Sequence, residues 1–252
     1  MLFMRALNSQ RICSGVALAA LLMAAQAQAI IAFDNTGLVG NQSDGPRVLG
    51  NIFVLESPIN VTAVGAFASG GSLGDGVTIP VAIYSYDAGA GTWNQVTGTS
   101  DSFSGSSGSL SGTTTLVGRA LMQDLNSPVT LSTLGGAYAV VAANYGVNGA
   151  LYYSGPPPPT VNTGGGAFVA ETLNSFYTST SGTTLSGTYG AGSLAYNYWS
   201  ANDYPFKYAY GAGTFDFTPV PEAATFGAAG VGLLGLVYIG RYARLRRIMK
   251  PS

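Results

Sequence analysis

The sequence predicts an all-β fold: an antiparallel β-sandwich or jelly-roll-like ectodomain with an N-terminal signal peptide and one C-terminal transmembrane helix. Three observations predict the β domain. Between Ile30 and Glu222 no apolar pattern of helical period lasts the dozen residues that an ordinary helix needs. Short β-branched and aromatic runs alternate there with Gly, Ser and Asp punctuation. Glycine supplies 36 of 252 residues, about twice average usage, as expected of a chain with many tight turns.

The runs read as strands in order. Val48 to Leu55, Val61 to Ala68 and Val77 to Tyr86 come first, followed by Thr115 to Leu121 and Val129 to Leu131. Ala137 to Ala143, Ala150 to Tyr153, Ala167 to Thr172, Tyr196 to Ser200 and Lys207 to Phe217 complete the set. Ser57-Pro58 and Ser127-Pro128 each precede a β-branched run, and proline is tolerated at a strand entry because that residue can forgo its ladder donor. Residues 69–76 read as a flexible loop between paired strands. Phe103 to Thr114 and Thr178 to Ser193 are mostly Ser, Gly and Thr; they are expected to be mobile surface loops, since they carry little apolar material to bury. Pro156 to Pro159 predicts a stiff polyproline II connector.

The two ends are of a different kind. Arg5 and Arg11 precede an apolar run from Ser14 to Ala25, and Ala27-Gln28-Ala29 places small residues at the cleavage positions of a signal peptide. Cleavage after Ala29 is expected, with a retained N-terminal anchor as the alternative. At the other end, Ala223 to Gly240 carries no charge. As a helix it would rise about 27 Å, close to the roughly 30 Å hydrocarbon core of a bilayer. Glycine and alanine fill half of it, so insertion rests on Phe226, Val231, Leu233, Leu234, Leu236, Val237 and Ile239 and is marginal. The alternative is a helix buried in a core. Arg241, Arg244, Arg246, Arg247 and Lys250 follow, and such clustering orients a single span with its tail in the cytoplasm. Three regions result: 1–29 as signal peptide, 30–218 as ectodomain, and 219–250 as a terminal segment.

Composition excludes several chemistries. The chain has no His, and its single Cys, Cys13, lies in the signal region. The mature segment therefore forms no disulfide and uses no thiol nucleophile, Cys/His zinc site or His-dependent triad. From Ile30 to Glu222 only Arg47, Arg119 and Lys207 are basic, against all eleven acids, a formal charge of 3 − 11 = −8. Nucleic-acid binding needs a basic footprint that this segment lacks.

Candidate sites are few. Tyr196, Tyr198, Trp199, Asp203 and Tyr204 combine rings with a carboxylate and nearby amides, the chemistry of a sugar-binding face. Phe206, Tyr208 and Tyr210 follow at period two, so packing against a second sheet competes with that reading, as does contact with another protein. Asp34-Asn35 near the first strand and Asp216 near the last would be neighbours if the termini pair, which makes calcium a candidate ligand; no other cofactor is expected. A glycosidase needs two carboxyl groups about 5–9.5 Å apart, and nothing in the sequence brings Glu56, Glu171 or any other pair together. No catalytic residue is assigned.

Val220-Pro221-Glu222-Ala223-Ala224-Thr225, the apolar run and the Arg-rich end together resemble the PEP-CTERM sorting signal of Gram-negative bacteria. That segment is also classified as the ice-binding-protein C-terminal domain, a label that does not itself imply ice binding. Val220, Pro221, Glu222 and Ala223 match the motif, with Ala223 where the family commonly has a second proline. The resemblance implies recognition by an exosortase, transient residence of the helix in the membrane and cleavage near the motif. More loosely, Ser57 to Phe67 and Ser127 to Val141 resemble the sandwich ectodomains of such proteins in bacteria that make exopolysaccharide. The expected function is a non-catalytic cell-surface or matrix component. Its alternatives are a carbohydrate-binding adhesin contacting polysaccharide and a secreted hydrolase.

Overall fold

The computed structural model describes residues 29–105, 115–117, 119–154, 159–167, 175–178, 182–190 and 210–220. Among them there is no α-helix, only strands, two short 3₁₀ turns and loops. The chain divides into two compact units, Met1–Thr218 and Pro219–Ser252. Of the second, only 219–220 are described.

The first unit holds two main antiparallel sheets. One comprises β1 (Ile30–Ile31), β14 (Gly213–Pro219), β4 (Ile59–Phe67), β9 (Ala120–Leu131) and β8 (Thr115–Val117), in that spatial order. The other runs β12 (Ser175–Thr178), β3 (Arg47–Val54), β10 (Ala137–Tyr145), β5 (Val77–Asp87), β6 (Thr92–Gln95) and β13 (Thr188–Gly190), and β7 (Asp101–Gly105) also pairs with β5. A small third sheet joins β2 (Phe33–Asp34) to β11 (Thr160–Val161). Successive long strands change sheets, so most close pairings join residues far apart in sequence.

Period-two alternation explains how these strands make a common core. Leu49 and Phe53 of β3, Ile79, Val81 and Ile83 of β5, and Tyr138, Val140 and Ala142 of β10 point to one side. They join Ile59, Val61, Val64, Phe215 and Phe217 of the other sheet in one buried cluster. The intervening residues Val48, Ile52, Ala82, Tyr84, Ala139 and Val141 form a second buried cluster on the opposite face, with Trp93 and the partly buried Leu185 and Tyr189. Aromatic rings dominate the centre: Phe53 lies 5.0 Å from Phe215 and 5.7 Å from Tyr138, stacked on the latter, and meets Phe33 edge-on at 6.1 Å. Each such fully buried side chain contributes about 1.5–3 kcal/mol by leaving water.

Polar groups tie the two sheets together at two points. The wholly buried Tyr145 of β10 donates its phenol proton towards Phe67 O (2.8 Å) and Ala212 O (3.2 Å) on the opposing sheet side. Asn51 of β3, 1 % exposed, donates from Nδ2 to Tyr210 O and accepts from Tyr210 N, both at 3.0 Å. The side chain thereby satisfies both backbone groups of Tyr210 as a neighbouring strand would. Gly50, next to Asn51, is required by close approach: a Cβ there would lie 2.1 Å from Val140 O.

Several expectations need correction. Pro128 does not begin a strand; it sits inside β9, where residues 125–128 bulge opposite the single residue Thr62 of β4. A bulge frees proline from the ladder just as a strand entry does. Thr115 to Leu121 is not one strand, because Val117 pairs with Ala120 across a reversal between β8 and β9. Residues 69–76 connect strands of different sheets and bury Leu73 to 1 % exposure, so they do not link a paired hairpin. Phe103 is also buried, within β7, and Leu185 and Tyr189 pack on the outer cluster; these parts of the expected mobile loops are held by the fold. The ends of the β domain do pair, Ile30 and Ile31 of β1 with Phe217 and Asp216 of β14, but Asp34 pairs with Thr160 of β11.

Candidate functional site

Among the described residues a polar groove lies on the outer face of the larger sheet. β5 creates its floor. Val77, Ile79, Val81 and Ile83 turn into the core, which leaves Thr78 and Pro80 pointing outward. Proline is accommodated there because the β10 ladder on β5 ends at Val81. β7 extends the floor with Ser102, which pairs with the outward Pro80, while Asp101, paired with the core-facing Val81, borders the groove, and Ser100 leads into it. Gln95, whose backbone N donates to Gly187 O, and Thr183, Thr184 and Leu185 complete the described lining. The groove is shallow and broadly open to solvent, with a volume of ≈ 670 Å³, within the roughly 300–1,000 Å³ range of small-molecule sites.

The walls are fixed by hydrogen bonds. Asn144, at the end of β10, donates from Nδ2 to Thr78 O at 2.9 Å and from its backbone N to Gly182 O at 2.9 Å. Its φ of 69° lies in the left-handed region, which asparagine enters more readily than other non-glycine residues. Tyr84 OH donates to Ser186 O at 2.5 Å, and Gln95 N to Gly187 O at 3.0 Å. Burial, followed by the neighbouring Tyr189, holds the Tyr84 phenol above its ordinary range, so it stays a neutral donor. Between β6 and β7, Thr99 plugs the gap along β5: its hydroxyl accepts from Ile83 N (3.2 Å) and donates to Val96 O (2.8 Å).

Two other polar constellations stand apart from the groove. Asp44 accepts from Tyr152 OH at 2.6 Å and forms an ion pair with Arg47 at 2.8 Å. The Tyr152 hydrogen bond, aided by Arg47, lowers the Asp44 carboxyl below its usual range, although partial desolvation opposes this. On the smaller sheet, Asp216 and Asp124 lie near enough to influence each other. Burial first, and the Asp124 charge second, raise the Asp216 carboxyl, and its Oδ1 is buried without a hydrogen-bond partner. No sequence signal brought this pair together: the β9 bulge at 125–128, opposite Thr62, brings Asp124 level with Ala63, beside the strand that carries Asp216.

The sequence-predicted residues divide sharply. Tyr196, Tyr198, Trp199, Asp203 and Tyr204 lie outside the described residues, as do Ala27, Pro221, Glu222, Ala223, Arg241, Arg244, Arg246, Arg247, Lys250 and the apolar run 223–240. Ala29 is an exposed residue ahead of β1, and Val220 follows β14. Tyr210 packs against the main core and meets Tyr152 edge-on at 6.0 Å, so for this one ring the packing reading holds. Asp34 caps its own turn, accepting from Thr36 N at 2.8 Å. Among the described residues no group of three or more acidic, Cys or His side chains is arranged to hold a metal, and no helix is long and apolar enough to cross a membrane. Glu56 is exposed, and Glu171 lies outside the described residues.

The groove escaped sequence reasoning because its described lining comes from five separated segments. A signal existed in Thr92-Trp-Asn-Gln95 and Asp101-Ser-Phe-Ser-Gly105, where one aromatic residue alternates with polar ones in strand fashion. Comparison of the chain with protein-family models, with curated proteins and with solved structures finds no match in any of the three.

Proposed function

We propose that this chain is an exported, non-catalytic surface or matrix component, sorted through its C-terminal segment. It would cross the inner membrane of a Gram-negative bacterium on its signal peptide and leave a sandwich ectodomain outside the cell. The single observation that carries this reading is the order of parts in 220–250: a Pro-Glu motif, a charge-free stretch of bilayer length and five basic residues. The Gly/Ala-rich span suits temporary residence, since its insertion energy is small. The arginines fix orientation, and Pro221 and Glu222 serve as recognition residues for an exosortase-type processing enzyme, with cleavage beside them. A unit boundary falling between Thr218 and Pro219 supports a tail separable from the β domain. The absence of His and mature-region Cys supports a structural role over catalysis that depends on those side chains.

The test is substitution of Pro221 and Glu222 by Ala in the native host, followed by fractionation. Accumulation of a membrane-bound chain still carrying its basic tail supports the proposal. Release indistinguishable from that of the unaltered chain overturns it.

A further inference from the structure

The polar groove belongs to the β domain whether or not the tail is cut, and sorting makes no use of it. Its chemistry narrows what it could hold. Thr78, Gln95, Ser100, Ser102, Thr183 and Thr184 present hydroxyl or amide groups that form no side-chain hydrogen bond among the described residues. Asp101 is the one charged residue in the described lining. Its Oδ1 accepts from Ser102 N at 2.7 Å, which leaves Oδ2 available. Pro80 and Leu185 add small apolar surfaces at floor and wall.

Each feature removes a ligand class. A phosphate, sulfate or uronate would meet Asp101 without any lining cation, in a segment of charge 3 − 11 = −8. A lipid chain would leave several donors and acceptors unsatisfied. A peptide adding as a strand finds no free edge on β5, which pairs with β10 on one side and with β6 and β7 on the other. Where the β10 ladder stops, the Asn144 side chain occupies Thr78 O. What remains is an uncharged molecule rich in hydroxyls, offering donors and acceptors in similar number and one less polar face. Because Asn144, Tyr84 and Gln95 already anchor the walls, little ordering is needed on binding.

We propose that this groove binds a neutral oligosaccharide. Asp101 and Gln95 receive and supply hydrogen bonds to its hydroxyls, and Pro80 and Leu185 take the apolar face of one sugar ring. The proposal stands independently of how the chain is sorted.

The full chain, kept in a detergent without a sugar headgroup, is titrated calorimetrically with neutral gluco-, manno-, xylo- and galacto-oligosaccharides chosen from an array. Oligogalacturonate and an extended peptide library serve as charged and polypeptide probes. Saturable binding of at least one neutral oligosaccharide is expected, weakened at least tenfold by Gln95→Ala and by Asp101→Asn. Thr184→Ala, at an exposed wall position, supplies a third groove variant should either of those fail to fold. Leu134→Ala, at a 95 % exposed residue on a turn outside the groove lining, should leave binding unchanged. A blank neutral array overturns the proposal. So does binding that survives every folded groove variant, or a preference for oligogalacturonate or peptide.

Discussion

Replacing Tyr145 by Phe deletes one oxygen from the most completely enclosed polar contact between the two sheets. The ring remains, so no large cavity opens and packing is nearly conserved. What disappears is the proton shared between Phe67 O at 2.8 Å and Ala212 O at 3.2 Å. Ala212 O keeps a second donor, Phe67 N at 2.6 Å, whereas Phe67 O loses this one outright. One buried hydrogen bond contributes about 1 kcal/mol, and a deprived carbonyl in a dry site adds to the loss, so the cost is about 1–2 kcal/mol. For a domain of this size that lowers Tm by about 2–8 °C. Tyr153 offers an internal comparison: it is 7 % exposed, and its hydroxyl makes no hydrogen bond among the described residues. Tyr153→Phe should therefore change stability by less than about 0.5 kcal/mol. Urea unfolding of both variants, followed by fluorescence and circular dichroism with m-values compared, measures the difference. Equal stability of Tyr145→Phe and the unaltered chain would refute the claim that this phenol ties the sheets together.

Alkaline titration tests the buried phenols as a set. Burial raises Tyr84, Tyr145 and Tyr152 above the ordinary phenol value of about 10, so the folded chain resists their ionisation. Their folded-state values exceed the unfolded ones, so the stability they contribute is complete below pH about 10 and is lost as pH rises further. Absorbance at 295 nm should show a fraction of the tyrosines ionising only together with unfolding; smooth ionisation of all of them in a folded chain contradicts the burial assigned. Asp216 gives the acid-side counterpart. Its folded value is raised, so its stabilising contribution is complete below the unfolded value of 3.8 and is lost as pH climbs through the raised one. Asp216→Asn should raise Tm at pH 7 and leave it nearly unchanged at pH 3; an equal gain at both pH values would show that charge desolvation is not the cause.

How much of this was legible in the sequence depends on where each strand gets its stability. β3, β4, β5 and β10 carry their own alternation of Val, Ile, Leu and aromatic residues, and their predicted limits lie within two residues of those observed. β6, β7 and β13 do not: Thr92–Gln95, Asp101–Gly105 and Thr188–Gly190 hold few apolar residues and are extended because neighbouring strands complete their ladders. Strand preference of that kind lives in the pairing partner more than in the segment. The Asp124–Asp216 proximity was equally hidden, since it depends on a bulge that adds residues to one strand only. The pairing of the domain's ends entered the sequence reading only as a condition, since the two-residue run Ile30-Ile31 is too short to stand out as a strand. The proposed sorting segment is the reverse case: that reading rests on order and charge alone.

Intact mass spectrometry of the protein recovered from its native host tests the central claim most directly. The account predicts a chain that begins at Ile30 and ends near Glu222, without the apolar run or the basic residues that follow it. Recovery of a chain that still begins at Met1, or that retains Arg241 to Lys250 after reaching the cell surface, would contradict it.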